Sequence, residues 1–279
     1  MFESLFVVWR ESLEALLIVG ILYAWLKAND EDGSGKRALL IGIGAGIVLA
    51  FLLGWALLSA QSELAGEALE AFQAAALVAA ALLITQMVWW MARHGRQLKS
   101  ELERQIAHAH RHDSRLAAQW NIALITALAI AREGAETVIF LYGIAQRPGG
   151  EMGALALGAL GGFLLAIVCA VLGARGLAHL KLGALLRLSS VLLLVLASSL
   201  LVAASDRLIG MDWLPALLDP IWDSSALIDD NEGIGRVFAD FAGYRARPAL
   251  TTVLTWAAYW LLATLPLLWM KSRHHHRHG

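Results

Sequence analysis

The apolar residues of this chain are arranged in long blocks, and this arrangement constrains the fold more than any other feature. Seven blocks are visible, at about residues 4–26, 38–59, 70–92, 119–145, 153–174, 183–205 and 249–270. An α-helix needs about 20 apolar residues to cross about 30 Å of hydrocarbon. None of the blocks shows the amphipathic stripe of a soluble bundle. The sequence therefore predicts an all-α polytopic membrane protein with seven transmembrane helices.

Composition supports this interpretation and excludes several function classes. The chain is 58% hydrophobic and 16% charged, whereas a soluble domain is about half apolar and about a quarter charged. A net charge of −1 gives no bias toward nucleic acid, and we expect no such partner. Cys169 is the only cysteine, which excludes an intrachain disulfide and a thiolate metal cluster. Gly35-Lys36 does not belong to a Walker loop, because Asp30 occupies the position of its first glycine.

The distribution of cations predicts the topology. Two arginines, Arg10 and Arg132, lie inside blocks. Of the other twenty Lys and Arg, fifteen lie in or at the edge of the first, third and fifth connections or in the C-terminal tail. Cytoplasmic connections carry the excess of Lys and Arg. We therefore expect a cell membrane protein, in the inner or plasma membrane, with its N-terminus outside and its C-terminus in the cytoplasm.

The order of the blocks predicts one permease domain over residues 1–279 that contains an internal repeat. Its parts are repeat one (1–93), a cytoplasmic connection (94–118), repeat two (119–205), an outside segment (206–248) and a last helix (249–270). Three spans separate the two repeats, which turns one copy over relative to the other. The sequence thus predicts an inverted 3+3 helix repeat plus one C-terminal helix, an arrangement common in secondary transporters.

Small residues recur at four-residue spacing in the second helix of each repeat. They are Gly42, Gly46 and Ala50 in the first repeat, and Gly158, Gly162 and Ala166 in the second. Such spacing makes a flat helix face against which another backbone packs closely. The recurrence at corresponding places favours the repeat.

The first helix of each repeat carries the same charged motif. Block 1 contains Arg10-Glu11-Ser12-Leu13-Glu14, and block 4 contains Arg132-Glu133-Gly134-Ala135-Glu136. Glutamates three apart project from one side of a helix, and the arginine lies four residues before the second glutamate. A charged side chain at mid-bilayer costs at least about 2.5–3.5 kcal/mol. Six such groups in two helices therefore indicate a functional site.

The motifs carry more negative than positive charge. Each arginine can neutralise one glutamate, and the ion pair can hold neighbouring helices together. The charge of the second glutamate in each motif then remains uncompensated. Two surplus carboxylates suit a cation, and their oxygens are hard ligands. Fe3+ is the hardest common candidate, and manganese, magnesium and calcium stay open. Spacing alone leaves open whether the two glutamate pairs form one site or two successive stations.

At these residues the sequence resembles the oxidase-dependent, high-affinity iron permeases of fungi and bacteria, including the EfeU-like members. Both Arg-Glu-x-x-Glu motifs stand intact, and Trp89-Trp90, the Trp222–Ser225 segment and Gly243-Tyr244 resemble the family's flanks. The resemblance implies that Glu11, Glu14, Glu133 and Glu136 bind iron, Fe3+ in the first instance, during passage. It also implies a separate iron-oxidising or periplasmic iron-delivery partner. Iron is then the transported substrate, with no cofactor and no enzymatic activity.

Two weaker features accompany the motifs. Glu63, Glu67 and Asp223 lie on the predicted outer side, where a negative vestibule would concentrate cations. An ordinary solvated acidic face explains the glutamates equally well, and it is favoured for most of the aspartates of the outside segment. Eight histidines form two clusters on the predicted cytoplasmic side, at residues 94–112 and 274–278. We expect a solvated basic segment there rather than a metal-receiving site.

Three alternative functions follow from the same residues. One is a permease for another metal cation, such as Pb2+, Mn2+ or Fe2+. A second is an intramembrane metal-dependent hydrolase, which would need paired histidines that the spans lack. A third is a metal sensor, for which the 206–248 segment is too small. The oligomeric state, including a homo-oligomer, is left open by the sequence.

Overall fold

The computed structural model describes residues 1–29, 33–94, 115–147, 152–175 and 182–275, and helices dominate these residues. The helices are α1 (Phe2–Asn29), α2 (Ser34–Ser62), α3 (Glu67–His94), α4 (Arg115–Ala145), α5 (Met152–Ala174), α6 (Leu182–Gly210), α7 (Gly233–Ala242) and α8 (Leu250–His275). The described part of the chain contains no strand. The all-α prediction is confirmed.

Within the described residues, four segments are long and apolar enough to cross a membrane. They are Ser34–Ser62, Glu67–Arg93, Met152–Ala174 and Leu188–Gly210, and Leu250–Leu265 is a shorter apolar segment. The helices α1 and α4 have 28 and 31 residues, but each carries a charged motif in its interior. At about 1.5 Å rise per residue, both exceed the thickness of the hydrocarbon layer. The count of seven spans remains a prediction.

The chain divides into two compact units that interleave along the sequence. The first unit comprises Met1–Ala60, His94–Tyr142 and Glu151–Leu180, and it contains α1, α2, α5 and most of α4. The second unit comprises Gln61–Arg93, Gly143–Gly150 and Lys181–Gly279, and it contains α3, α6, α7 and α8. The organisation as one permease domain remains a prediction.

Within the first unit, the small-residue face of α2 packs against α4. A Cβ atom added at Gly42 would lie 2.5 Å from the Ala123 carbonyl oxygen, and one at Gly46 would lie 2.7 Å from Ile130 Cβ. The backbones approach this closely only because glycine has no side chain. The contacts advance in the same direction along both helices, so α2 and α4 run parallel.

The small-residue face of α5 packs in the same way against α1. A Cβ atom at Gly158 would lie 2.3 Å from the Met1 carbonyl oxygen, and one at Gly162 would lie 2.2 Å from the Leu5 carbonyl oxygen. Each motif-bearing helix is thus packed against the glycine face of a helix from the other half of the sequence. The close approach reaches the residue before the motif in α1, because Gly162 also faces the backbone nitrogen of Trp9.

A buried apolar cluster joins α1 and α4 beyond the motifs. It contains Ile18, Leu22, Leu26, Ala38, Leu39, Ile122 and Ala123. The later residues of α1 therefore meet the early residues of α4, so these two helices run in opposite directions. This orientation brings the middle of α1 to the middle of α4, where the two motifs lie.

The second unit is built around α6. Leu193, Leu196 and Leu200 of this helix are fully buried, and α7 and α8 both pack against it. The helix α7 lies within the predicted outside segment and ends at Gly243, whose φ of 74° is the left-handed conformation that glycine adopts at helix ends. A side chain at Gly243 would press against the Ser199 Cα atom, 3.0 Å away.

Several sequence predictions fall outside the described residues. Most of the 94–118 connection lies there, including three histidines of the first cluster, as do His276 and His278 of the tail.

Candidate metal site

The first motif forms a buried ion-paired triad on α1. Arg10 Nη1 donates to Glu11 Oε1 at 2.8 Å, and Arg10 Nη2 lies 2.8 Å from Glu14 Oε1. The Arg10 and Glu11 side chains are completely buried, and Glu14 is 11% exposed. The contact with Glu14 is close but lacks the direction of a hydrogen bond. One guanidinium therefore holds both glutamates of its own motif.

The second motif forms a looser triad on α4. Arg132 Nε donates to Glu136 Oε1 at 3.1 Å and lies 3.7 Å from Glu133 Oε1. The Arg132 side chain is 43% exposed, whereas Glu133 and Glu136 are 4% and 15% exposed. The two motifs have the same residue pattern but different surroundings.

The two motifs converge. Glu11, Glu133 and Glu136 each offer a carboxylate oxygen, and these three oxygens lie within 4.8 Å of one another. Electrostatic interactions also link Arg10 with Glu136 and Arg132 with Glu14. All six groups lie in the first unit. The sequence did not decide whether the two glutamate pairs form one metal site or two successive sites. The structure places three of the four glutamates in a single cluster.

Each of the four glutamates has an oxygen without a hydrogen-bond partner. The atoms are Glu11 Oε2, Glu14 Oε1, Glu133 Oε2 and Glu136 Oε2, all of them buried. A buried polar atom that lacks a partner is unfavourable by about 1–3 kcal/mol, and by more when it is charged. Glu11, Glu133 and Glu136 form the cluster, and unpartnered carboxylate oxygens on clustered residues are typical of a site that accepts a cation. Oxygen donors of this kind suit hard metal ions.

Close helix packing positions the second motif. A Cβ atom at Gly134, the first of the two residues between the glutamates, would lie 2.6 Å from Ala50 Cβ on α2. The small face of α2 therefore continues from Gly46 to Ala50 along the motif itself. The sequence identified both the face and the motif, but not their contact.

The residues predicted for an outer vestibule lie in the second unit, and two of them already have partners. Glu63 is exposed. Trp213 Nε1 donates to Glu67 Oε1 at 2.8 Å. Asp223 accepts hydrogen bonds from Ser225 and lies 2.9 Å from Arg247 Nε, and these contacts lower the pKa of Asp223 to about 2.

One buried residue of the second unit was not singled out by the sequence. Arg147 follows α4 and donates to Ser199 Oγ at 2.6 Å and to the Asp240 carbonyl oxygen. It lines a cavity of about 830 Å³ together with Arg207 and Arg245. Nothing in the local sequence distinguishes Arg147 from an ordinary cation in a connection.

Comparison with known proteins decides the family. Residues 1–276 match the iron permease FTR1 family. The chain belongs to this family. It is 28% identical to the ferrous iron permease EfeU of Escherichia coli O6:K15:H31 over 259 residues, which cover 93% of this chain and 92% of that protein. It is 26% identical to the ferrous iron permease EfeU of Yersinia pestis over 277 residues, 98% of this chain and 95% of that protein. No solved structure matches.

Family membership confirms the resemblance found in the motifs. The chain is a multi-pass membrane transporter of the iron permease family and not an enzyme. Membership of this family supports iron as a transported substrate. The hydrolase interpretation is not favoured.

Proposed function

We propose that this permease takes up iron with high affinity through a site formed by Glu11, Glu14, Glu133 and Glu136. The observation that carries the proposal is the cluster of three carboxylate oxygens within 4.8 Å, among four buried carboxylates that each have an oxygen without a hydrogen-bond partner. A cation within the cluster would supply a partner for Glu11, Glu133 and Glu136, whereas Glu14 Oε1 already lies 2.8 Å from Arg10. The transporter family supports iron as that cation.

Charge explains why the site needs an ion. Four carboxylates and two guanidiniums carry a net charge of −2 when all are ionised. A role of the arginines in helix packing alone would leave two buried negative charges uncompensated, which is strongly unfavourable. A metal ion removes the imbalance, and Arg10 and Arg132 limit how tightly that ion is held. Passage requires binding that is firm enough to replace water and weak enough to release.

We propose Fe3+ as the ion at this site, because all the donors are carboxylate oxygens and Fe3+ is a hard cation. Fe2+ is the second candidate, since the relatives are named ferrous iron permeases. Uptake of Pb2+ or Mn2+ is a further alternative that the family does not favour.

The valence is tested by uptake of radioactive iron into liposomes that contain the purified permease. Fe2+ is kept reduced under anoxic conditions, and Fe3+ is supplied as a soluble chelate, each with and without a proton gradient. We expect Fe3+ to enter in preference to Fe2+, and a tenfold excess of Mn2+ to compete poorly. Preferential uptake of Fe2+ would establish the second candidate. Equal competition by Mn2+ would contradict iron selectivity.

We also propose the predicted topology of seven spans, an inverted 3+3 repeat and a last helix, with the N-terminus outside and the C-terminus in the cytoplasm of the inner or plasma membrane. The reciprocal packing of α2 on α4 and of α5 on α1 supports the repeat. The opposite directions of α1 and α4 in the first unit support the inversion.

An outer vestibule at Glu63, Glu67 and Asp223 is proposed as an accessory feature. Because such attraction acts through water, salt screens it with a Debye length of about 8 Å at physiological ionic strength. Glu63→Gln with Glu67→Gln is expected to raise the KM for iron uptake about twofold to threefold at low salt, with kcat unchanged. The difference should vanish in 0.5 M salt. An unchanged KM at low salt would show that these residues form an ordinary solvated face.

The partners proposed for the permease are iron and the lipid bilayer. A separate iron-oxidising or periplasmic iron-delivery protein is also proposed. The permease is proposed to act as a monomer or as a homo-oligomer. If an oxidase partner delivers the ion, uptake of Fe2+ by whole cells should require oxidation, whereas uptake of chelated Fe3+ by liposomes should not.

A further inference from the structure

The two motif arginines are unequal, although their motifs have the same pattern. Arg10 is completely buried, and its two nitrogens lie 2.8 Å from Glu11 and from Glu14. Arg132 is 43% exposed, and its contacts with Glu136 and Glu133 are longer, at 3.1 Å and 3.7 Å. The difference in burial is the largest departure from symmetry within the site.

Burial determines how readily each ion pair can be broken. Removing one partner of a buried pair leaves an uncompensated charge in a low-dielectric environment, which is strongly unfavourable. An ion pair with an exposed member is weak, because water solvates the released group. A guanidinium within a membrane span faces water rather than lipid, since lipid exposure is costly. Arg132 therefore lies on the open side of the site, and Arg10 on the closed side.

The glutamates also form two groups, three in the cluster and one held by Arg10 outside it. The three oxygens that cluster within 4.8 Å belong to Glu11, Glu133 and Glu136. Glu14 is the glutamate outside this cluster, and Arg10 holds its Oε1 atom at 2.8 Å. When all are ionised, the four glutamates and Arg10, which contacts both Glu11 and Glu14, carry a net charge of −3. Arg132 is the cation that reduces this charge in the empty site.

We propose, on the basis of the iron site proposed above, that Arg132 is a displaceable counter-ion and Arg10 a fixed one. An arriving iron ion replaces Arg132 at Glu133 and Glu136, and the return of Arg132 promotes its release. Arg10 remains in place and keeps Glu14 away from the three carboxylates that bind the ion. With Arg132 displaced, three carboxylates balance a trivalent ion, whereas a divalent ion leaves one negative charge uncompensated.

Removing the charge of Arg132 tests the displacement. In purified permease in lipid nanodiscs, binding of radioactive Fe2+ is measured by anoxic equilibrium dialysis, and uptake is measured in liposomes. Arg132→Gln is expected to bind Fe2+ about tenfold more tightly, because the ion no longer competes with a cation, and to transport it more slowly. Arg132→Lys keeps the charge and should return the affinity toward the native value. Arg10→Gln is expected to lose binding and to lower the unfolding temperature.

A second pair of variants does not depend on whether Arg10→Gln folds. Glu136→Gln removes a clustered carboxylate, and Glu14→Gln removes the one held by Arg10. We expect Glu136→Gln to lose Fe2+ affinity by a factor at least about ten times larger than the factor lost by Glu14→Gln. Equal losses in this pair, or weaker binding by Arg132→Gln, would overturn the assignment of unequal roles. If the native permease binds neither Fe2+ nor chelated Fe3+, or if Glu136→Gln binds both ions unchanged, the iron site itself is refuted.

Discussion

Replacing Glu133 by glutamine is expected to reduce iron uptake on the order of 100-fold, to the background of empty liposomes. Changes to groups that merely support a metal ligand already lower affinity about 10–100-fold, and Glu133 is proposed as a ligand itself. Glutamine has the same shape, so packing around the 4% exposed side chain is preserved. The change removes a charge at the centre of the carboxylate cluster. It also replaces one acceptor oxygen with an NH2 group that cannot bind a cation.

The effect should appear in transport and not in folding. The unfolding temperature of Glu133→Gln is expected to match or exceed that of the native permease, because one buried charge has been removed. Its elution volume in size-exclusion chromatography should be unchanged. Glu232→Gln, an exposed residue of the second unit, is the matched control and should transport normally. Glu11→Gln is expected to behave like Glu133→Gln. Uptake that survives both changes would exclude a shared site.

The sequence predicts the helices well, because the hydrocarbon layer permits little else. Block 4–26 became α1 (Phe2–Asn29), and block 249–270 became α8 (Leu250–His275). The helix α7 was not predicted, since its ten residues lie outside the apolar blocks and depend on packing against α6. Its residues Ile234, Val237, Phe238 and Phe241 recur at helical spacing, but a search for apolar blocks long enough to span a membrane does not detect so short a pattern.

The identity of the site residues was also predictable, but their geometry was not. The motif names all four glutamates, because charged residues in apolar blocks are rare. Whether they meet depends on the register between α1 and α4, and no residue pattern within either helix encodes that register. The register is fixed by distant contacts, such as Leu22 of α1 in the apolar cluster that also contains Ile122 of α4.

The inequality of the arginines is likewise absent from the sequence. Arg10 and Arg132 occupy the same motif position, and each lies four residues before a glutamate. Their exposures of 0% and 43% arise from the helices around them. Motif analysis assigns both residues one role, and only the packed structure separates them.

Replacing Gly162 by alanine is expected to destabilise the permease, whereas the same replacement at Gly173 is not. Both residues lie in α5. In a helix interior, alanine is more favourable than glycine by about 1 kcal/mol. Gly173 has nothing within 4 Å of an added Cβ atom, so its replacement should be neutral or stabilising. At Gly162 the added atom would lie 2.2 Å from the Leu5 carbonyl oxygen and 2.8 Å from the Trp9 nitrogen. These backbone atoms cannot move without moving α1.

The expected loss for Gly162→Ala is at least about 1–3 kcal/mol, the usual range for overpacking. Gly162→Leu should prevent recovery of folded permease. Because Trp9 precedes Arg10, any Gly162→Ala protein that folds should also have a displaced first motif and reduced iron uptake. Thermal unfolding in detergent and uptake in liposomes measure the two effects separately.

The corresponding pair in α2 extends the test to the other half of the chain. Gly46 would meet Ile130 Cβ at 2.7 Å and the Ala127 carbonyl oxygen at 2.8 Å, whereas Gly44 has open space. Gly46→Ala should therefore lower stability and uptake, and Gly44→Ala should not. The motif of each half is then positioned by a glycine face from the other half. Normal stability and uptake in both Gly46→Ala and Gly162→Ala would show that these close approaches do not position the site.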